Sequence, residues 1–189
     1  AYYNRGNALL ELRQLESAIE SYGRAISVKP DFVEAYNNRG NAFKDLGQFE
    51  FSVANFDKAI SIRPNYSEPL YNRGNAQFGT RQFGAAVESY ERALSLKPDH
   101  DYLRGTLLHA RMNLCDWKDF DARASELIQK IGSNAKSTPA FAALSLTDSR
   151  AMQRQAAEIY SQDKHPASAN PVWSGQRYEH ARIRLAYVS

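Results

Sequence analysis

The sequence contains one cysteine, Cys115, in 189 residues. No disulfide can form within the chain, which suits a reducing compartment. Its histidines, His100, His109, His165 and His180, are scattered, without the Cys/His spacing of a metal site. No metal or other cofactor is expected. No apolar run approaches the ~20 residues of a membrane span, and Ala1-Tyr2-Tyr3-Asn4 has no signal-peptide character. A cytoplasmic location without membrane contact is expected. Basic residues do not cluster. The net charge is +3, with the excess in 103–189 and with 1–102 slightly acidic, which argues against nucleic acid as a partner. Also missing are a nucleophile–base pair and a phosphate-binding glycine loop, so no catalytic residue is assigned.

What the sequence does have is repetition. Tyr2-Tyr3-Asn4-Arg5-Gly6-Asn7-Ala8 returns as Tyr36-Asn37-Asn38-Arg39-Gly40-Asn41-Ala42 and as Leu70-Tyr71-Asn72-Arg73-Gly74-Asn75-Ala76, at an offset of 34 residues. Each unit holds two stretches of helical periodicity. The first stretches run roughly 1–13, 35–46 and 69–80. The second run roughly 15–28, 49–62 and 83–96. Breaks near Arg13-Gln14, Gly47-Gln48 and Arg81-Gln82 separate them. Lys29-Pro30, Arg63-Pro64 and Lys97-Pro98 close the units, because proline cannot continue a helix. Gly6, Gly40 and Gly74 are expected to let the paired helices approach, against Ala18, Ser52 and Ala86. Tyr22, Phe56 and Tyr90 fill the space beyond, and Ala25, Ala59 and Ala93 admit the next unit.

This pattern resembles the tetratricopeptide repeat, whose period it shares. The resemblance covers residues 1–100 and implies an all-α superhelix of helical hairpins, an α-α solenoid. It departs where that family often has leucine before the glycine. Arg5, Arg39 and Arg73 stand there, with stems expected to pack and heads to reach solvent.

Two rows of asparagine recur in phase. Asn4, Asn38 and Asn72 form the first, and Asn7, Asn41 and Asn75 the second. A spacing of three puts both rows on one face of each first helix. In such a superhelix the first helices line the concave side. An amide offers both a donor and an acceptor, which matches the backbone of an extended protein or peptide segment, the expected partner. Asn38 and Asn72 are expected to carry most of the contact. Replacing both by alanine is then expected to weaken binding while changing stability by only ~0.5 kcal/mol each. The competing reading, that the amides cap or brace neighbouring helices, stays open, because structural residues recur too. Tyr3, Asn37 and Tyr71 flank the row as ligand contacts or inter-repeat packing. Related domains that clamp acidic chaperone tails pair asparagines with cations. Here Asn7 and Asn38 match the asparagines, but the cationic positions fall on Tyr3, Glu68 and Asn72. A terminal carboxylate would lack its partners.

Beyond Asp101 the repeat decays. Residues 103–132 are expected to form a degenerate fourth hairpin, with helices over Tyr102 to Leu114 and Trp117 to Ile131 and a stop at Gly132-Ser133-Asn134. Residues 133–180 are expected to be linker helices and a loop. Thr138 caps a short helix ending near Leu146, a second helix covers Asp148 to Gln162, and 163–178 form the loop. Residues 181–189 are expected to be a strand, and a strand needs neighbours that a helical chain lacks. Cys115 is expected to be a small buried hydrophobe, and Trp117 an anchor at the junction. Asp116, Asp119 and Asp121 are expected in solvated or capping roles.

Cys115-Asp116-Trp117 with Asp119-Phe120-Asp121-Ala122-Arg123 resembles the junction that follows the repeats in O-linked N-acetylglucosamine transferases of the bacterial SPINDLY-like type. Pro171-Val172-Trp173-Ser174-Gly175 and Arg177-Tyr178 through Arg182 to Ser189 resemble the lead into their first catalytic strand. The resemblance implies a GT-B glycosyltransferase that moves a sugar, N-acetylglucosamine or fucose, to Ser or Thr of a protein. This chain would be its acceptor-recruiting arm, cut from a longer protein and not catalytic by itself. The alternative is a non-enzymatic scaffold that binds proteins or self-associates into a homo-oligomer.

Overall fold

The structure, a computed structural model, describes residues 1–166. The expected strand at 181–189 and most of the expected loop lie outside the described residues. Ten helices follow one another: α1 (Tyr2–Glu11), α2 (Leu15–Val28), α3 (Val33–Asp45), α4 (Phe49–Ile62), α5 (Ser67–Gly79), α6 (Phe83–Leu96), α7 (Leu103–Asn113), α8 (Phe120–Gly132), α9 (Ala140–Ala143) and α10 (Arg150–Lys164). The described residues contain no strand.

The hairpin turns are built alike. Arg13, Gly47, Arg81 and Cys115 have φ of 59°, 74°, 60° and 55°. Each is a left-handed residue ending a first helix. The next residue's N–H reaches back to close the turn, Gln14 to Leu9 O, Gln48 to Phe43 O and Gln82 to Gln77 O at 2.9 Å, and Asp116 to Arg111 O at 3.0 Å. This is the Schellman arrangement. It recurs at the repeat interval in the fourth hairpin, where side-chain periodicity is lost. Cys115 is therefore an exposed turn residue, and the expected buried packing role does not hold. Trp117 is also exposed, at 55%; its ring meets Phe120 edge-on, and among the described residues it is not the expected buried anchor. Asp119, left-handed at φ 55°, delays α8 to Phe120.

Close approach inside each hairpin has the expected cause. A Cβ on Gly6 would come 2.5 Å from the Tyr22 ring, and one on Gly40 would come 2.6 Å from Phe56; Gly74 faces Tyr90 in the same way. Those rings are almost wholly buried, as are Ala18, Ser52, Ala86, Ala59 and Ala93. The arginines depart from expectation. Arg39 Nε donates to Asn55 Oδ1 at 2.7 Å. Arg73 donates to Ser89 Oγ and to Asp57 Oδ1. Their heads bond to second helices, and only Arg5 is left exposed.

From α1 to α8 each helix packs on the next. In addition α1 touches α3 and α3 touches α5, whereas no comparable contact joins α2 to α4 or α4 to α6. Successive first helices converge and second helices splay, so the first helices form the inner, concave side. Beyond α8, Lys136 and Ser137 bond to the start of α7, with Gly105 N donating to Ser137 O at 3.0 Å. Thr138 is buried against Gly105, so Pro139, extended at ψ 149°, takes the cap position of α9. The cap expected of Thr138 is absent for this reason. Ser149 caps α10 instead, and an ion pair from Lys136 to Asp163 ties its end, holding that carboxyl down near 2 together with Lys164.

Candidate functional site

A single stripe runs along the inner side of the first helices. On α3 it carries Glu34, Asn38, Asn41 and Asp45, and on α5 Glu68, Asn72, Asn75 and Gly79. Both sets are spaced i, i+4, i+7 and i+11, one helical face. On α1 the stripe is Asn4, Asn7 and Glu11.

The two asparagine rows differ in what they bond. In the first row, Asn38 Nδ2 donates to Tyr3 OH and to Asn7 Oδ1, each at 3.1 Å. Asn72, 8% exposed, donates from Nδ2 to Asn37 Oδ1 at 3.1 Å. Asn37 is itself buried and donates to Glu68 Oε1 at 3.1 Å and Asn38 Oδ1 at 3.4 Å. These bonds stitch α1 to α3 and α3 to α5. Asn4 alone in this row is exposed and has no side-chain partner among the described residues.

The second row leans on the buried tyrosines. Tyr22 OH donates to Asn7 Oδ1 at 2.9 Å, and Tyr90 OH to Asn75 Oδ1 at 2.9 Å. Burial pushes the Tyr22 phenol up to about 12 and Tyr90 higher still, so both remain protonated donors at neutral pH. The corresponding ring beside Asn41 is Phe56, which has no hydroxyl. Asn41 has no side-chain hydrogen bond among the described residues and is half-buried. The Nδ2 groups of Asn7, Asn41 and Asn75 thus all stay unpartnered among the described residues, and Asn41 keeps its oxygen as well. The sequence carries a signal for this in the tyrosine fifteen residues after Asn7 and Asn75 and its replacement by phenylalanine after Asn41.

The flanking residues pack between repeats. Tyr3 lies against Phe32 with centroids 4.8 Å apart and the rings tilted by 43°, and Tyr71 lies 4.6 Å from the His100 ring. At the far end of the stripe His109 sits between Phe78, at 5.3 Å, and Phe141, at 6.2 Å. Burial lowers the His109 pKa, which favours the neutral ring. Among the described residues no cluster of His, Cys, Asp and Glu is arranged to hold a metal ion. No described helix is long and apolar enough to cross a membrane.

The tetratricopeptide-repeat family models match at 6–47, 40–80 and 67–100. Residues 6–100 are tetratricopeptide repeats. Solved structures with the same fold include the first repeat domain of Spaghetti (RPAP3), described as bound to the HSP90 peptide SRMEEVD. It is 23% identical, with a TM-score of 0.59 over 60% of this chain and 90% of that one. MamA from Desulfovibrio magneticus RS-1 is 18% identical, with a TM-score of 0.61 over 66% of this chain and 71% of that one. The Sgt2 repeat domain from Aspergillus fumigatus is 23% identical, with a TM-score of 0.58 over 62% and 79%. At these identities the likeness is one of fold. Comparison with curated proteins finds no match. Family matching reaches residue 100, while the hairpin turn geometry persists to Cys115.

Proposed function

We propose that the chain is a protein-interaction module that holds an extended polypeptide along the inner stripe. The observation that carries this reading is the set of side-chain NH2 groups on Asn7, Asn41 and Asn75 that the stack leaves unpartnered. They repeat along the groove once per tetratricopeptide unit and are suited to donate to peptide carbonyls. Asn4 adds an exposed amide at one end. Asn38 and Asn72 belong to the same ladder, and their role in this reading is to hold α1, α3 and α5 in register. One structural neighbour is described with a peptide bound, and that is consistent with such use of the fold. The test is binding of extended peptides to Asn41→Ala/Asn75→Ala. We expect weaker binding, with the melting temperature lowered only as far as the buried Tyr90 hydroxyl loses its acceptor on Asn75, and unaltered affinity refutes the reading.

The finer proposal is that this module recruits acceptors for a protein O-glycosyltransferase. Its support is the resemblance of Cys115–Arg123 and of residues 171–189 to that family's junction. The expected result is that the chain, fused to the catalytic lobes of such a transferase, directs sugar from a UDP-sugar to Ser or Thr of a bound peptide. The transfer should fall when Asn41 and Asn75 are replaced. No transfer with any donor sugar refutes it.

A further inference from the structure

The stripe that carries the asparagines carries charge of one sign only. Its ionisable members on α1, α3 and α5 are Glu11, Glu34, Asp45 and Glu68, with no lysine or arginine among them. Two are neutralised from outside the stripe. Arg63 Nη1 lies 2.8 Å from Glu34, and Asp45 pairs with Arg13 and Lys44 at 3.3 and 3.4 Å. Glu68 is different. It is exposed, and no cation among the described residues pairs with it, yet its carboxylate is fixed in place. Oε1 accepts from Asn37 Nδ2 at 3.1 Å and Oε2 accepts from Tyr66 OH at 2.8 Å. Both donors are neutral, so the negative charge is oriented but not balanced. Each oxygen keeps a lone pair for a further donor. Glu68 also sits one turn before Asn72 on the ladder helix, so a chain lying across the amides passes it.

We propose that the groove selects a basic extended segment, whose lysine or arginine side chain meets the carboxylate of Glu68 while its backbone lies on the asparagine amides. This rests on the peptide-binding reading above and adds its charge preference. A pre-oriented carboxylate loses little side-chain freedom on pairing, and a cation there gains a charge-assisted hydrogen bond. An acidic ligand meets repulsion at the same point. Charge of one sign along the stripe adds attraction that salt screens.

The test uses the whole chain, isotopically labelled, and three end-capped Ala/Ser peptides that differ only in one central residue, Lys, Gln or Glu. Amide shift changes on α1, α3 and α5 report binding. At low salt the lysine peptide is expected to bind about three- to five-fold more tightly than the glutamine peptide, the scale of a partly exposed ion pair, with the glutamate peptide weakest. The preference is expected to vanish in Glu68→Gln, which removes the charge and keeps one acceptor oxygen while the Tyr66 hydroxyl turns to accept from the new NH2, and to survive in Glu34→Gln, whose partner is Arg63. Equal affinities, or a lysine preference that persists in Glu68→Gln with the melting temperature unchanged, overturn the role of Glu68 and leave the groove reading standing. No shift changes on those helices with any of the three peptides overturn both.

Discussion

Phe56→Tyr tests the repeat geometry most directly. The rings of Tyr22, Phe56 and Tyr90 occupy one site. Each presents the same three ring atoms to the glycine of its own hairpin at nearly the same separations. In two of the three the hydroxyl reaches an asparagine oxygen at 2.9 Å. A hydroxyl added to Phe56 is therefore expected to arrive at Asn41 Oδ1 without moving the ring, although Phe56 is fully buried. A new intramolecular hydrogen bond contributes about 0.5–1.5 kcal/mol net. For a domain of this size ~1 kcal/mol raises Tm by roughly 2–4 °C. Tyr90→Phe is expected to lose a similar amount, since Asn75 Oδ1 then turns to water. Calorimetry and urea titration followed by circular dichroism measure both variants. The gain from Phe56→Tyr should disappear in the Asn41→Ala background, the coupling that a double-mutant cycle isolates. A destabilised Phe56→Tyr, or a gain that survives without Asn41, refutes the shared geometry.

Asn72→Ala is expected to cost about 1–3 kcal/mol, because it leaves the oxygen of buried Asn37 without its donor, whereas Asn4→Ala should stay within about 0.5 kcal/mol; urea midpoints decide between them. Arg81→Gly should stabilise by about 0.5–1 kcal/mol, since a left-handed non-glycine residue costs ~1–2 kcal/mol and the added freedom of the unfolded chain returns part of it. Gly47→Arg should lose a similar amount, as a Cβ there meets nothing within 4 Å and only the backbone effect counts. The lowered pKa of His109 comes from burial, so both folded and unfolded states are neutral well above the unfolded value of about 6.5. As pH falls below that value the unfolded chain takes up the proton first, and stability is expected to decline until the folded ring also titrates, then level off. His109→Gln should flatten this slope in urea midpoints measured across the acid range, and an unchanged slope refutes the assignment.

Much of the fold was legible in the residues because a recurring pattern averages over local ambiguity. Three copies of Gly6, Tyr22 and Ala25 in phase report helix pairs and their contacts more securely than any one copy. The fourth hairpin was harder to place, since its side chains drift while its turn survives in backbone angles that Cys115 adopts without being glycine. The burial expected of Cys115 and the anchoring expected of Trp117 failed for that reason. Thr138 missed its capping role because close contact with Gly105, distant in sequence, holds it elsewhere. The solvent exposure expected for the arginine heads overlooked Asn55, Asp57 and Ser89, which only the packed second helices bring within reach.

The amino-acid order by itself dictated the 34-residue hairpin period, the aromatic rings over the glycines and the placement of the asparagines on one helical face. Those features depend on neighbours three to twenty residues away. Which amide NH2 groups keep no partner among the described residues was decided by folding. Asn38 meets Asn7, and Asn72 meets Asn37, across separations of 31 and 35 residues. A side-chain amide has few hydrogen bonds to give, and an NH2 that joins two repeats is no longer offered to the groove. That division between bracing and open asparagines, and the unbalanced carboxylate of Glu68 beside them, comes into being only when the hairpins stack.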